Sequence, residues 1–564
     1  MAEATWQVRP RATAQALDRL DLDSPLLAQL LLNRGVATPT DAARFLDPEG
    51  DELHDPSALA DMPAALERIV TAAQRGERIV VYGDYDVDGL SGATLLALAL
   101  REVGARVEVF IPHRERDGYG LNGAVLAQLA QVGAGLVVSV DCGISAAAEI
   151  DAAARAGLEV IVTDHHQVPP DLPRAVAVLN PHRADCQYPF KPLAGAGVAL
   201  KLAQALARRC LPAAQVGPLE ARLLELATLG TVADVMPLVG ENRAIVRRGL
   251  RRLNTSPSPG LLALSRLARL EPGWIDAEAI AFKLAPRLNA AGRMADAALA
   301  QRLLSANQAA EATRLAEQLE RLNAERRIVT EDALGQARAE VAAFGDRLPA
   351  GIVLSGAFPA GILGLIAARL AEEAGRPVAV LQRGDEVCRG SVRGARGFDT
   401  AAGVRACGDL LLTFGGHRAA AGLTLLPEHL AEFGARFARV AEPWLAALPP
   451  AGPVFADCRL RAESVNWKLT QMLAQLEPCG EGNPAPLFET SGLLVREAKV
   501  VGESHLRLRL ASDTTRLRGI IFGGARGGPA EGQIVDLLHR VRGSFWQDSV
   551  SVELDVVAWR PSGR

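Results

Sequence analysis

Cysteine is scarce in this chain and carries no pattern. The seven cysteines, Cys142, Cys186, Cys210, Cys388, Cys407, Cys458 and Cys479, form no C-x-x-C pair and are odd in number, which points away from a disulfide framework and from a cysteine-ligated zinc site. Long hydrophobic runs are missing as well: no stretch approaches the ~18 uninterrupted apolar residues of a membrane span. The N-terminus MAEATWQVRPRATAQALDRL has no apolar core ahead of a small-residue cleavage site. A cytoplasmic protein without membrane contact is therefore expected. Positive charge is not in excess either. The formal net charge is −4, so any nucleic-acid binding must come from local arginine clusters, not from a global field.

What is present is enough apolar material, 49% of 564 residues, for several cores and roughly three or four domains. Residues 1–56 carry no recognisable motif and are expected to pack on the catalytic domain that follows. From about 57 to 240, short β-type runs alternate with helical patterns, the signature of a parallel α/β sheet. Strands are expected at Ile79–Tyr82, Arg106–Ile111, Leu136–Val140 and Glu159–Thr163, with a helix over Ser91–Val103. Residues 298–345 read as one long connecting helix, 346–448 as a second α/β domain, and Pro449 to Pro453 as a linker. The rest, 453–564, alternates in short strands suited to a small β-barrel.

Each strand of the first sheet ends in chemistry. Asp84, Asp86 and Asp88 follow the first, Asp141 follows Val140, and Asp164-His165-His166 follow Thr163. In an open α/β sheet ligands bind outside the carboxyl ends of the strands, so these segments are expected to converge on one crevice. GDYDVDG (Gly83 to Gly89) has carboxylates at alternate positions in a glycine-bounded loop. An EF-hand calcium loop begins the same way, but its twelfth position here is Leu95 in place of the bidentate Glu, and the flanks are strand and helix. Taken singly, Asp141 reads equally well as a helix N-cap. Asp234 lies in the apolar stretch TLGTVADVMPL, where a carboxylate is costly unless paired, hydrogen-bonded or metal-bound. Asp and His ligands from separate segments, with no Cys, suit two Mn²⁺ or Mg²⁺ ions and phosphodiester hydrolysis better than a structural zinc.

DYDVDG, VSVDCG, VTDHH and GTVADVMPL, in this order and spacing, resemble the motifs of the DHH phosphoesterase family. The resemblance implies that Asp86, Asp88, Asp141, His165 and Asp234 hold the two divalent ions, with Asp141 bridging them and Asp84 as ligand or immediate support. It also implies that His166 touches the scissile phosphate, and Asp164 is then read as orienting a histidine. FGGHRAAAG resembles the glycine-rich motif of the DHH-associated domain, which implies substrate contact by Gly415, Gly416 and His417. APRLNAAGRM and EPCGEGNPAPLF, with the barrel as an OB fold, resemble the RecJ branch of the family. That branch implies a 5′→3′ exonuclease that degrades single-stranded DNA to mononucleotides in DNA repair and recombination. By the same route Arg114, Arg287, Asn289, Arg293, Ser391 and Arg393 are expected to hold the terminal phosphate and the DNA backbone, guanidinium forks being matched to phosphate oxygens. His505, Phe522, Phe545 and Trp546 could stack bases or belong to the barrel core. Single-strand-binding protein and a RecQ-type helicase are the partners it suggests, and a monomer suffices. Two alternatives stay open at this point: a phosphodiesterase for short oligonucleotides or cyclic dinucleotides, and an inactive scaffold that binds DNA or a replication partner.

Overall fold

The computed structural model describes residues 6–47, 53–449, 452–502, 504–546 and 549–563. Its first sheet is fully parallel, in the order Arg106–Phe110, Arg78–Gly83, Ala134–Val140, Glu159–Thr163, Ala177–Leu179. The inner strands are nearly continuous apolar runs because helices cover both faces, whereas the edge strand Arg106–Phe110 carries Arg106 and Glu108. Ile79 and Val81 face a core shared with helices Met62–Gln74, Val87–Glu102, Gly195–Cys210 and Ala213–Ala233. Val80 and Tyr82, pointing the other way, pack with Gly123–Gln131 and Ala147–Arg155. Every strand of the sheet runs in the same direction, so the aspartate-bearing loops all leave from one edge.

The connecting segment is two helices, Ala298–Ser305 and Ala309–Ala343, not the single helix expected. Continuous Ala, Leu, Glu and Arg favour helix throughout, but the chain turns extended at Ala306, where Leu303, Leu304 and Ala306 are buried in the catalytic core. Farther along, Ala333, Leu334 and Ala337 belong to the core of the next domain. The helix Ala309–Ala343 thus ties the two, since its Ala312, Leu315, Ala316 and Leu319 lie in the catalytic core. That second domain has a mixed sheet, ordered Leu411–Gly416, Ala420–Leu425, Cys388–Arg393, Val378–Gln382, Ile352–Gly356, parallel only in the last pair.

The C-terminal strands close into a barrel. Phe488–Val501 pairs with both His505–Ala511 and Ile534–Trp546, and Arg516–Ile521 reaches the same hairpin through Ser549–Pro561. Leu506, Leu508 and Leu510 point inward and are buried while Arg507 and Arg509 are exposed, the period of two expected of a one-sided strand. Phe522 is exposed, and His505 meets it edge-to-face at 5.3 Å; the side chains of Phe545 and Trp546 lie outside the described residues.

Residues 6–47 correct an expectation. Leu17, Leu20, Leu27, Leu30 and Leu31 are buried in the core of the barrel, not in that of the catalytic domain, and strand Trp6–Val8 pairs in parallel with Val454–Ala456. Their leucines recur at helical spacing and need an apolar partner, which the helix Trp467–Leu473 and the barrel wall supply. Contact with the catalytic domain is by polar anchors: the Arg243 guanidinium lies 3.9 Å from the Phe45 ring centre, and Arg247 donates to the Phe45 and Asp47 carbonyls.

Candidate active site

At the carboxyl edge of the parallel sheet the expected residues meet. His165 Nε2 lies 3.1 Å from Asp141 Oδ1, 3.7 Å from Asp234 Oδ2 and 3.8 Å from Asp88 Oδ2. Three overlapping groups, Asp84/Asp86/Asp141, Asp88/His165/Asp234 and Asp141/His165/His166, each bring one ligand atom per residue within 4.8 Å of the others.

The backbone is shaped to make this possible. Asp86 caps the helix Val87–Glu102, its Oδ1 accepting from the N–H groups of Asp88 and Gly89 at 3.0 and 3.1 Å. Asp88 accepts from Gly195 and Ala196 at 2.7 and 2.9 Å, at the start of the helix Gly195–Cys210, where N–H groups are free and the dipole favours an anion. Asp141 is not a helix N-cap: it sits at φ +64 at the strand end, and the following helix is capped by Ala146. Non-glycine residues seldom adopt that conformation, and it is found where surrounding structure imposes it. Gly195 and Gly230 keep the cradle open. A Cβ at Gly195 would come within 2.6 Å of the Asp141 side chain, and one at Gly230 within 2.3 Å of Asp88 Oδ1. Sequence reasoning missed Gly195, Ala196 and Gly230, although the Gly-x-Gly of PLAGAGVAL was a signal of close approach.

Electrostatically the cluster is under-compensated. Burial, and then mutual repulsion, pushes the carboxyls of Asp84, Asp88 and Asp141 well above the usual range. Burial and the nearby Asp86 raise Asp234 to about 7. Asp84 Oδ1 and Asp141 Oδ1 are buried and accept no hydrogen bond from any described residue. Burial and the adjacent His166 lower His165 to about 4, leaving its imidazole neutral and free to donate a lone pair. Such orphaned oxygens with a neutral imidazole are what a divalent cation neutralises, and an Asp/His set lacking thiolate selects Mg²⁺ or Mn²⁺ over softer ions. The residues therefore fit divalent metal.

His166 is held differently. Its Nδ1 lies 2.7 Å from Asp164 Oδ1, which also accepts from the backbone N–H groups of His165 and His166, while Asp164 Oδ2 accepts from Ile144 N–H. Burial opposes charge on both side chains, but this hydrogen bond and the opposite charges prevail, holding Asp164 below the usual carboxylate range and raising His166 to about 9. From the second α/β domain, His417 stacks on His166 with ring centres 4.9 Å apart; Gly415 and Gly416 lead into it along an exposed edge strand.

Of the basic residues, Arg114 lies with its guanidinium 5.0 Å from the Tyr85 ring centre. Arg293 donates to the Gly361 carbonyl across the domain boundary, and Arg393 donates to Ser391 Oγ at 2.7 Å. Burial, followed by repulsion from Arg114, Arg326 and Arg393, lowers Arg293 to about 9. No ion pair joins Arg114, Arg293 or Arg393 to a carboxylate among the described residues. Asn289 Oδ1 accepts from Val87 N–H at 3.2 Å and so braces the DVDG turn. Arg287 is not part of this set: Glu320 engages it at 2.5 Å.

A parallel sheet with this Asp/His edge, facing a mixed-sheet domain and followed by a closed barrel, defines a metal-dependent hydrolase of the DHH type. Three family profiles match accordingly: the DHH family N-terminal domain over residues 78–231, the DHHA1 domain over 350–442 and the RecJ OB domain over 456–558. The single-stranded-DNA-specific exonuclease RecJ of Dickeya dadantii (strain 3937) is 38% identical over 521 residues, covering 89% of both chains. The protein of the same name from Bacillus subtilis (strain 168) is 33% identical over 94% of this chain and 67% of its own. The crystal structure of RecJ from Thermus thermophilus in complex with Mn²⁺ superposes with a TM-score of 0.81 at 32% identity, over 99% of this chain and 79% of that one; a second structure of that protein holds Mg²⁺. The chain belongs to the RecJ family.

Proposed function

We propose that the protein is a metal-dependent exonuclease that hydrolyses single-stranded DNA from the 5′ end to mononucleotides, acting in DNA repair and recombination. The observation that carries this reading is the proximity of orphaned carboxylate oxygens at the sheet edge to arginines that form no ion pair among the described residues, Arg114 within electrostatic reach of Asp84 and Arg293 of Asp86. Cations and a phosphate chain are the complementary charges for these two sets.

Asp84, Asp86, Asp88, Asp141, His165 and Asp234 would hold two divalent ions, Asp141 serving both. When bound, such ions lower the pKa of water and stabilise charge on phosphoryl oxygens. The protein's own groups do the rest. His166, its Nδ1 proton held by Asp164, presents Nε2 to the scissile phosphate, and His417 closes over its other face. Arg114, Arg293 and Arg393, with Ser391, take the terminal phosphate, the guanidinium forks matching its oxygens. Asn289 fixes the turn that carries Asp86 and Asp88. Arg287 joins the backbone contacts only by exchanging Glu320 for a phosphate. The barrel grips the strand upstream, as single-strand binders do.

The partners single-strand-binding protein and a RecQ-type helicase, a monomeric state and a cytoplasmic location are parts of the same reading, and they rest on the family. No helix among the described residues is long and apolar enough to cross a membrane.

The test is digestion of a long oligonucleotide labelled at either end, single-stranded or duplex, with Mn²⁺ or EDTA, beside Asp141→Ala. Metal-dependent release of mononucleotides from the 5′ end of single strands, lost in the variant, is expected. A metal-loaded protein that spares long strands and cleaves dinucleotides would overturn the substrate.

A further inference from the structure

One polar group at the site has no role in that mechanism, the hydroxyl of Tyr119. Asp164 engages His166 at Nδ1, and His417 covers one face of the ring. The remaining polar atom of the ring, Nε2, meets the hydroxyl of Tyr119 at 3.2 Å. That contact is the only hydrogen bond the Tyr119 hydroxyl makes among the described residues.

The chain goes to some length to place this hydroxyl. Tyr119 sits on a strap between the strand Arg106–Phe110 and the helix Gly123–Gln131, flanked by Gly118 at φ +81 and Gly120 at φ +79. A Cβ at either glycine would meet nothing within 4 Å, so the glycines serve the backbone conformation and not a lack of space. Asp117 and Asn122 brace the strap from within: His113 N–H donates to Asp117 Oδ2 at 2.8 Å, Asp117 N–H to the His113 carbonyl, and Asn122 Nδ2 to the Asp117 carbonyl. Tyr82, fully buried in the sheet, donates its hydroxyl to the Gly120 carbonyl at 3.0 Å. The result is a tyrosine whose side chain is largely exposed and packs into no core, standing edge-on to His166 at 6.2 Å and to Tyr85 at 6.4 Å. A large exposed aromatic side chain on a braced strap is not there to stabilise the fold. Its hydroxyl goes to the histidine.

We propose that Tyr119 is a positioning residue for His166 in phosphodiester hydrolysis: its hydroxyl meets Nε2 on the side opposite Asp164 and fixes the rotation of the ring, so that Nε2, shared between the hydroxyl and an oxygen of the scissile phosphate, reaches that phosphate in one orientation. This rests on the function proposed above. An imidazole held only at Nδ1 can still swing about that bond, and misplacement of a phosphate-contacting group slows the chemical step more than binding.

Tyr119→Phe removes the hydroxyl and keeps the ring. With saturating Mn²⁺ and a 5′-phosphorylated single strand, kcat should fall by about tenfold or more, the loss of one hydrogen bond. KM, Mn²⁺ affinity and thermal midpoint should change by less than about twofold or not at all. In ring-¹⁵N spectra of the Mg²⁺-loaded protein, the Nε2 resonance of His166, assigned with His166→Gln, should move in Tyr119→Phe while Nδ1 stays. Unchanged kcat in a variant whose wild type cleaves DNA would overturn the proposal and leave the function standing. If the wild type failed to cleave single strands, the function would fall, and an unmoved Nε2 resonance would then overturn the role of Tyr119 by itself.

Discussion

The parallel sheet and the barrel both bury acids, and they treat them oppositely. In the barrel, Glu489 is 2% exposed yet fully engaged, accepting from Trp6 Nε1 at 2.8 Å, Arg459 Nε at 2.7 Å and Arg560 Nη2 at 3.2 Å. Asp555 and Asp536 are likewise met by Arg542 and by Arg560 with Ser562. At the sheet edge, Asp84 and Asp141 are 3% exposed and each leaves an oxygen without a hydrogen bond among the described residues. A buried charge that is paired is part of the architecture. One that is not is held against its solvation cost by the rest of the fold, and the strained φ of Asp141 and of Val235, beside Asp234, is imposed in the same way.

The contrast breaks if the same operation has the same consequence in both places. Asp141→Ala should lower kcat by roughly a thousandfold or more, while the thermal midpoint of the metal-free protein stays level or rises, because a repelled, unpaired carboxylate has gone. Steady-state kinetics and melting of EDTA-treated protein read the two effects. Glu489→Ala should do the reverse. Losing an acid that holds Trp6, Arg459 and Arg560 costs about 2–4 kcal/mol of barrel stability, measured by denaturant unfolding, and metal-dependent release of mononucleotides from single strands should persist below the melting transition. A stable Glu489→Ala or a collapsed Asp141→Ala would erase the distinction.

The smallest expected effect sharpens it by pH. His539 is buried within the barrel, with Thr490 Oγ1 at 2.9 Å from Nε2. Burial lowers it to about 4, against 6.5 for an ordinary histidine. The unfolded chain therefore binds a proton that the barrel refuses. Stability is complete above pH ~6.5 and declines as pH falls toward ~4, by up to about 3 kcal/mol. His539→Gln should flatten that slope in urea titrations between these limits. An unaltered slope would place the protonation elsewhere.

Much of the site was legible because buried parallel strands are nearly pure apolar runs, so an aspartate directly after Tyr82-Gly83 or Val140 stands out. The β-type run Glu159–Thr163 forms a strand over those same residues. The strand Phe488–Val501 was not anticipated, since Gly492 and two register shifts interrupt its alternation. The leucines of residues 17–31 announced burial but not its partner, as periodicity names a face and not what covers it. Arg287 looked like Arg293 in APRLNAAGRM. Only the fold shows that Glu320 pairs with Arg287 while Arg293 forms no ion pair among the described residues and donates to the Gly361 carbonyl. Tyr119 was invisible for a similar reason: DGYG signals a turn, and the histidine it reaches is 47 residues away.

The orphaned oxygens at the sheet edge are there to hold divalent metal. Crystals of the protein soaked in Mn²⁺ and measured at the manganese absorption edge test this most directly. Two anomalous peaks are expected among Asp84, Asp86, Asp88, Asp141, His165 and Asp234, with occupancy lost in Asp141→Ala. Fully loaded crystals with manganese only elsewhere, or with both peaks undiminished in the variant, would contradict it.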